Sequence, residues 1–352
     1  MMKAKTSSLR DGHRPTKQSR ATPGRIPGLL RFARHDGMAV VAVLCAMLVG
    51  IGSAHALDKV RAGKSIGSLW AFLPLDIGME KGLFAKYGIE VEISDLGSGA
   101  KLQQALASDS IDVGLSAGSD MMASVKGSPV LTVAAFAEEP RSVVIMVGAG
   151  SPIQKATDFK GKMVAMPSLG SVSEWLLRRM AIAEGMGRDG VKPVSQGSVQ
   201  ANLAALRTGQ VDGMVGPMEV GFNLEEKHEG RIAVHLAKYA PHFHAHIIFA
   251  RKQFIAEKPD VLERFLKGFF AAVKVMKADK KTTSEAAIRV LHSEPSIADR
   301  TYDAQVGMLI DDGHFDPQAI TLIKESWVEL GMLDKEPSDD QFMTTKFVPV
   351  TP

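Results

Sequence analysis

The sequence predicts an α/β protein with two lobes, and three observations carry this prediction. Short runs rich in β-branched residues have the length of strands, helical patterns separate these runs, and one strand–helix pattern recurs along the chain. Strands that alternate with helices are typical of βαβ units, which assemble into mostly parallel sheets. A chain of 352 residues with 45% hydrophobic content is long enough for two such cores.

The individual elements follow from local patterns. Strands are predicted at residues 89–93, 111–115, 131–136, 143–147 and 162–166. Helices are predicted at residues 101–106, at 172–183 and from Pro259 onward. Proline suits the first turn of a helix, and apolar residues then recur with helical spacing from Leu262 to Val273. We interpret that apolar stripe as core.

The recurring pattern has a constant offset of 100 residues. Gly97-Ser98, Ala105-Leu106 and Ile111-Asp112 return as Gly197-Ser198, Ala205-Leu206 and Val211-Asp212. Each copy reads as a turn, a helix, a polar turn and a strand. We interpret the copies as two similar lobes that face each other across a cleft; chance similarity between two ordinary βα units is the alternative.

The first 56 residues read as an export signal. They carry nine Lys or Arg against two Asp, then an apolar run at 38–51, and end in the small residues Ala54-His55-Ala56. The apolar run of about 14 residues is short for a membrane span, which needs roughly 20. We expect cleavage after Ala56 and a periplasmic location; a leader retained as an anchor is the alternative.

Removal of the leader changes what the composition implies. The whole chain has a net charge of +3, the leader contributes +7, and residues 57–352 therefore sum to −4. A mildly acidic body argues against nucleic acid as a partner, because phosphate binding needs a cationic surface. Cys45, the one cysteine, lies inside the leader. The exported chain is therefore expected to have no disulfide and no thiolate metal site.

Four motifs appear in an order that resembles a known family. They are LPLDIGMEKGLFAKYGIEV at 73–91, the β-branched-Asp pairs ending at Asp112 and Asp212, DFKGKMV at 158–164 with PSLGS at 167–171, and RKQFI at 251–255 with KPD at 258–260. Together they resemble the substrate-binding proteins of nitrate/sulfonate/taurine ABC importers, the SsuA/THI5-like or NMT1 family. The resemblance covers roughly residues 60–348.

This resemblance implies a type II periplasmic binding protein fold with two α/β lobes, a ligand cleft and a two-segment hinge. By analogy lobe 1 comprises residues 57–143 and 247–352, and lobe 2 comprises residues 144–246. The implied function is capture of a small solute for an ABC permease in the inner membrane, without chemistry and without a cofactor, by a monomer. The resemblance also leaves an alternative, a pyrimidine-related enzyme or binder of the THI5-like branch.

Loops at strand ends supply the candidate ligand-binding residues. Trp70 and Phe72 could cover an apolar or planar part of the ligand, or could be core. Small and hydroxyl residues open three predicted helices, where unpaired N–H groups suit an anion; plain N-capping is the alternative. These candidates are Gly97, Ser98, Ser116, Ser119, Ser168 and Ser171.

Two further candidates carry charge or can gain it. Glu219 aligns with Ser119 in the repeat and could accept from a ligand N–H, or could simply favour a helix start. On a strand, His242, His244 and His246 would share one face, which suits a hydrogen bond from His242 to the ligand better than a metal site; histidines at the surface or in the hinge are the alternative. From these residues we predict a small organic anion, such as a sulfonate or carboxylate; a neutral or cationic heterocycle held by Glu219 is the competitor.

One short motif permits an enzyme. Gly114-Leu115-Ser116-Ala117-Gly118 matches the G-x-S-x-G nucleophile elbow of hydrolases. A hydrolase would also need an acid and a histidine within reach of Ser116, for which Asp212 and His242 are the candidates. Glycine and serine are common in this chain, so the motif is weak, and we expect the protein not to be an enzyme.

Overall fold

Two five-stranded sheets form the framework of residues 56–352, the part of the chain that the computed structural model describes. The predicted export signal lies outside these residues except for Ala56. The first sheet contains β1 (Asp58–Lys64), β2 (Ile89–Asp95), β3 (Val113–Ala117), β4 (Val130–Ala137) and β10 (His246–Arg251). Its order is β2-β1-β3-β10-β4, in which β1 pairs in parallel with β2 and β3 while β10 runs antiparallel to its neighbours.

The second sheet repeats this arrangement. It contains β5 (Val143–Gly148), β6 (Met163–Met166), β7 (Lys192–Ser195), β8 (Gly213–Pro217) and β9 (Gly230–His235). Its order is β7-β6-β8-β5-β9, with β6 parallel to β7 and β8, and β5 antiparallel to β8 and β9. Each sheet belongs to one α/β lobe. The chain passes between the sheets twice, at residues 138–142 and 236–245, which we call the crossing segments.

Helices cover the sheets. They are α1 (Leu73–Glu80), α2 (Leu83–Lys86), α3 (Gly99–Ala107), α4 (Met122–Val125), α5 (Val172–Ala183), α6 (Val199–Arg207), α7 (Met218–Glu226), α8 (Lys252–Glu257), α9 (Pro259–Ala278), α10 (Lys280–Leu291), α11 (Pro295–Gln305) and α12 (Pro317–Glu329). The predicted apolar stripe of α9 is buried, as expected, with Leu262, Phe265 and Phe269 all fully excluded from solvent. No helix within residues 56–352 has the length and apolar character needed to cross a membrane.

The 100-residue repeat is present in the structure at the level of single atoms. Ser98 Oγ accepts from the third amide of α3 at 3.3 Å, and Ser198 Oγ accepts from the equivalent amide of α6 at 3.1 Å. Asp112 and Asp212 each accept from a backbone N–H of the neighbouring strand, at 3.0 and 2.8 Å. The two copies therefore share helix caps, strand register and sheet order. The limits 57–143, 144–246 and 247–352 for the lobes stay a prediction.

The copies differ in how deeply their aspartates are buried. Asp112 is 8% exposed and accepts from Arg61 and Arg251. Burial opposes ionisation of this carboxyl, but the bonds from the two guanidinium groups outweigh it and lower its pKa. Asp212 is 33% exposed and pairs with Lys162 at 3.3 Å. The first copy thus contains a buried ion cluster that joins β1, β10 and the turn before β3, while the second has a half-exposed pair.

Candidate functional site

The strand-end loops gather at one edge of each sheet. Because the carboxyl ends of parallel strands meet at the same edge, the loops after β1, β2 and β3 cluster in lobe 1, and those after β6, β7 and β8 cluster in lobe 2. Each cluster exposes one large apolar side chain, Ile66 in lobe 1 and Leu169 in lobe 2. Ligands of open α/β sheets bind at this edge.

A cavity of about 490 Å³ lies where the two crossing segments meet. It is lined by Glu139, Arg141, Met218, His235, Ala237, Lys238, Pro241 and Ala304. The cavity therefore has walls from both crossing segments, from the start of α7 and from the end of α11. Its volume is in the range of small-molecule sites.

The cationic side chains of this cavity already have acidic partners. Arg141 Nε donates to Glu139 Oε2 at 2.8 Å. Lys238 Nζ lies 3.4 Å from a carboxylate oxygen of Glu184. Neither cation stands alone, so the cavity carries little net positive charge with which to attract an anion.

The predicted residues after β2 are bonded within the protein. Gly97 has a φ of +76°, which favours glycine, and its N–H donates to Asp95 Oδ1 at 3.0 Å. The same oxygen accepts from Gly67 N–H at 2.9 Å. Ser98 caps α3, which is the alternative that the sequence left open for it.

The predicted residues after β3 surround an acid that sequence reasoning missed. Ser116 is fully buried, and its Oγ donates to Asp120 Oδ2. Burial raises the pKa of the Asp120 carboxyl. This carboxylate lies so close to the start of α3 that a Cβ on Gly99 would be 2.5 Å from Asp120 Oδ2. Ser119 is half-buried beside it in the 3-10 turn 118–121.

The predicted residues before α5 also meet an acid. Ser171 Oγ donates to the carbonyl oxygen of Ser168 at 2.7 Å. The N–H of Gly170 donates to Glu174 Oε2 at 2.7 Å, and the other oxygen of Glu174 accepts from Arg178. Glu174 is 6% exposed. The start of α5 therefore already holds a carboxylate of the protein itself.

Glu219 connects α7, which follows the second sheet, to the C-terminal helices. Gln305 Nε2 at the end of α11 donates to Glu219 Oε1 at 3.0 Å, and burial raises the pKa of the Glu219 carboxyl. Within residues 56–352, neither Glu219 Oε2 nor Gln305 Oε1 has a hydrogen-bond partner, although both atoms are buried. Sequence reasoning found Glu219 through the repeat but gave no signal for Gln305.

The two aromatic candidates lie in the hydrophobic core. Trp70 is fully buried and packs edge-on against Tyr302, with ring centroids 6.3 Å apart. Phe72 is 1% exposed and packs against Phe136 and His246. Both rings therefore have core surroundings, which is the alternative that the sequence left open. Trp70 Nε1 nevertheless has no hydrogen-bond partner among the described residues.

The three histidines do not share a strand face, and this expectation is wrong because β10 begins only at His246. His242 is 56% exposed in the second crossing segment, with Nδ1 3.0 Å from Asp316 Oδ2. His244 Nε2 accepts from the N–H of Asp316 at 2.9 Å. His246 is buried between Phe72 and Phe136. Across residues 56–352, no group of three or more His, Cys, Asp or Glu side chains is placed to hold a metal ion.

The residues required by a hydrolase are not assembled. Ser116 donates to Asp120 rather than to a histidine, Asp212 accepts from the N–H of Met163, and His242 pairs with Asp316. A serine nucleophile needs a base within hydrogen-bond reach. The G-x-S-x-G match is therefore a strand end and turn in which Gly118 packs tightly, since a Cβ there would lie 1.9 Å from the carbonyl oxygen of His244.

Comparison with known proteins places this geometry in a family context. The family model described as NMT1/THI5 like matches residues 71–282, more than half of the chain. A curated relative, a putative thiamine biosynthesis protein of Haemophilus influenzae, is 29% identical over 189 residues. That match covers 52% of this chain and 58% of the relative, so the chain spans less than two thirds of the relative's length.

Solved structures with the same fold include binding proteins and an enzyme. The periplasmic aliphatic sulphonate binding protein SsuA of Escherichia coli superposes with a TM-score of 0.70 at 17% identity, covering 82% of this chain and 92% of that one. The ligand binding component of an ABC-type import system of Staphylococcus aureus gives 0.72 at 17% identity, covering 84% and 99%. The desulfurization enzyme DSZB gives 0.61 at 14% identity, covering 82% and 97%. These likenesses show the periplasmic binding protein fold.

Proposed function

This chain belongs to the NMT1/THI5-like family, and from that membership and the two-lobed fold we propose that it is the periplasmic solute-binding component of an ABC importer. It captures a small molecule between its lobes and delivers it to a membrane permease. Export through a leader cleaved after Ala56 and action as a monomer are part of this proposal. In this proposal the protein binds its solute and does not act as an enzyme.

The cavity at the crossing segments is the observation that carries the proposal. Residues from both crossing segments line it, together with the start of α7 and the end of α11. Rotation of one lobe against the other about these segments would change the volume of the cavity. A solute that contacts both lobes stabilises the closed state, because it binds that state more tightly than the open one. A permease could then distinguish loaded from empty protein.

Native mass spectrometry tests this function. Protein that is exported from cells and purified without denaturation should carry one small molecule per chain. The chain itself should have the mass expected for a sequence that begins at Leu57. Unfolding and refolding should remove that molecule. A chain that still begins at Met1, or that never carries a small molecule when it is purified from cells grown on rich medium, would count against the proposal.

The ligand class is the finer question. The sequence predicts a small organic anion, and this stays a prediction. Two of the backbone N–H groups that an anion could use, those of Gly97 and Gly170, already donate to acidic side chains of the protein. The competitor is a neutral or cationic nitrogen-bearing solute.

A thiamine-related role is the second candidate, and the identity with the Haemophilus protein favours it. In that case the solute would be a pyrimidine, either bound or converted. Incubation of the purified protein with the solute it releases distinguishes the two roles. An unchanged mass of that solute supports binding, and a new product mass would support an enzyme.

A further inference from the structure

One side of helix α11 is fixed to the core of the first sheet. Ala298 and Tyr302 are buried in the hydrophobic cluster that this sheet forms with its helices. The hydroxyl of Tyr302 donates to the carbonyl oxygen of Lys277 in α9 at 2.9 Å. Ser284 Oγ of α10 donates to Asp299 Oδ1 of α11 at 2.6 Å. These contacts tie α11 to the first sheet.

Another side of α11 packs against α7, which follows β8 of the second sheet. Ile297 is 1% exposed and belongs to the hydrophobic cluster of the second sheet, together with Met218 and Phe222 of α7. The guanidinium carbon of Arg300 lies 4.0 Å from the centre of the Phe222 ring. The same guanidinium donates to Glu225 Oε2 at 2.5 Å. We call these contacts the α7–α11 interface, and they connect helices that belong to different sheets.

The α7–α11 interface leads away from the cavity at the crossing segments. Met218, at the start of α7, and Ala304, near the end of α11, both line that cavity. At the far end of the interface, Ser296 Oγ donates to Glu226 Oε1 at 2.7 Å. The two helices therefore run antiparallel, with about 12 Å of each helix between the cavity and this far contact. If the helices part, the cavity wall between Met218 and Ala304 opens.

The composition of the interface suits contacts that form and break. Gln305 Nε2 donates to Glu219 Oε1 at 3.0 Å, but within residues 56–352 the other side-chain oxygens of both residues are buried without a hydrogen-bond partner. Such atoms cost free energy that water recovers when the helices separate. Polar interfaces within one chain are typical of parts that move relative to each other.

We propose that the α7–α11 interface is a latch, with Arg300 as its central side chain, that sets the ratio of two arrangements of the lobes. This proposal rests on the lobe rotation in the proposed solute-binding function. In the latched arrangement Arg300 holds α11 against α7, and in the unlatched one the two helices are apart. Arg300 is a positioning residue, because it changes the solute affinity through the fraction of molecules in the binding arrangement.

Distances between two spin labels test the latch in protein freed of solute by unfolding and refolding. The predicted exported chain contains no cysteine, so Ile66→Cys with Leu169→Cys places one label in an exposed strand-end loop of each sheet. Pulsed electron paramagnetic resonance should show that Arg300→Ala moves molecules away from the separation that predominates with Arg300 present. The ratio of separations should change by about threefold to tenfold, since an ion pair and a ring contact are lost. Salt at about 1 M should act in the same direction, because it screens the ion pair.

Arg289→Ala is the matched control. Arg289 of α10 donates to Glu80 of α1, and both side chains are about half exposed. Helices α1 and α10 both pack on the core of the first sheet, so this ion pair does not reach the second sheet. Arg289→Ala should leave the ratio of separations unchanged. Arg300→Lys should keep part of the latch, because lysine retains the charge but lacks the planar face that lies over Phe222.

Urea unfolding first shows that all variants are folded. A ratio that Arg300→Ala leaves unchanged, or that Arg289→Ala changes as much, would then overturn the latch. Because the distances are measured without solute, either result would leave the proposed solute-binding function intact. Native protein that releases no small molecule on unfolding would count against that function, and the distances would still decide whether the latch exists.

Discussion

Trp175 and Glu329 are joined by a hydrogen bond across 154 residues of sequence, in which the indole Nε1 donates to Glu329 Oε2 at 2.7 Å. Phe243, in the second crossing segment, stacks on the same indole at 5.0 Å, and Arg179 lies over its ring. One buried ring thus connects α5 of lobe 2, the C-terminal helix α12 and a crossing segment. This contact is one of those that hold α12 in place.

Removal of the acceptor should therefore loosen α12. Glu329→Ala leaves the buried indole N–H without its protein partner, and we expect the free energy of unfolding to fall by about 1 kcal/mol. Glu325→Ala, one turn earlier in α12 and without a bonded partner among the described residues, is the control and should cost less. Urea unfolding followed by tryptophan fluorescence measures both; equal losses would contradict a specific role for the bond.

The repeat allows the buried ion cluster of Asp112 to be compared with the more exposed ion pair of Asp212. Asp112→Asn removes a charge from a buried site and leaves Arg251, 9% exposed, with only the exposed carboxylate of Asp109 as a partner. We expect a loss of about 3 kcal/mol or more. Asp212→Asn changes the equivalent residue of lobe 2, where the pair is half-exposed, and should cost below about 1 kcal/mol. Similar losses in urea unfolding would show that burial does not decide the effect.

Position 118 requires glycine because the backbone of the second crossing segment lies very close to it. A Cβ at this position would lie 1.9 Å from the carbonyl oxygen of His244, so Gly118→Ala has to push β3 away from the second crossing segment. Overpacking of this kind costs about 2 kcal/mol or more. Gly148→Ala, at the end of β5, has no heavy atom within 4 Å of the added Cβ and should be tolerated. Thermal unfolding of the two variants gives the comparison, and equal melting temperatures would contradict it.

The buried histidine of β10 makes stability depend on pH. Burial lowers the pKa of His246 to about 3, whereas an unfolded histidine titrates near 6.5. Below pH 6.5 the unfolded chain takes up a proton that the folded chain does not, so stability is lost as pH falls from 6.5 toward 3, by about 1.4 kcal/mol per pH unit. Burial of His244, whose pKa is lowered to about 4, adds to this dependence.

Replacement of the His246 imidazole tests this predicted loss of stability at lower pH. His246→Phe, between Phe72 and Phe136, should reduce the slope of unfolding free energy against pH between 5 and 6.5 by about one proton. His235→Phe, on the exposed end of β9, should leave the slope unchanged. A slope that His246→Phe does not alter would mean that this side chain is not buried in its neutral form.

Local patterns predict most of the framework of this protein. Residues 172–183 form the predicted helix, and Asp112 and Asp212 immediately precede equivalent strands, because periodicity, caps and turns are properties of neighbouring residues. The strand face assigned to His242, His244 and His246 was wrong, since alternation alone does not fix where a strand begins. Contacts between residues that are far apart in the chain could not be predicted from local patterns. Gln305 meets Glu219 across 86 residues, and only the packing of α11 on α7 brings them together.

Small-angle scattering with the protein's own solute tests the central claim, that a small molecule is captured between the two lobes. The chain is unfolded, freed of low-molecular-weight material and refolded, and scattering is recorded before and after the released material is added back. The account predicts a smaller radius of gyration once the solute is restored, because closure about the crossing segments brings the lobes together. A radius of gyration that stays the same at saturating solute would contradict it.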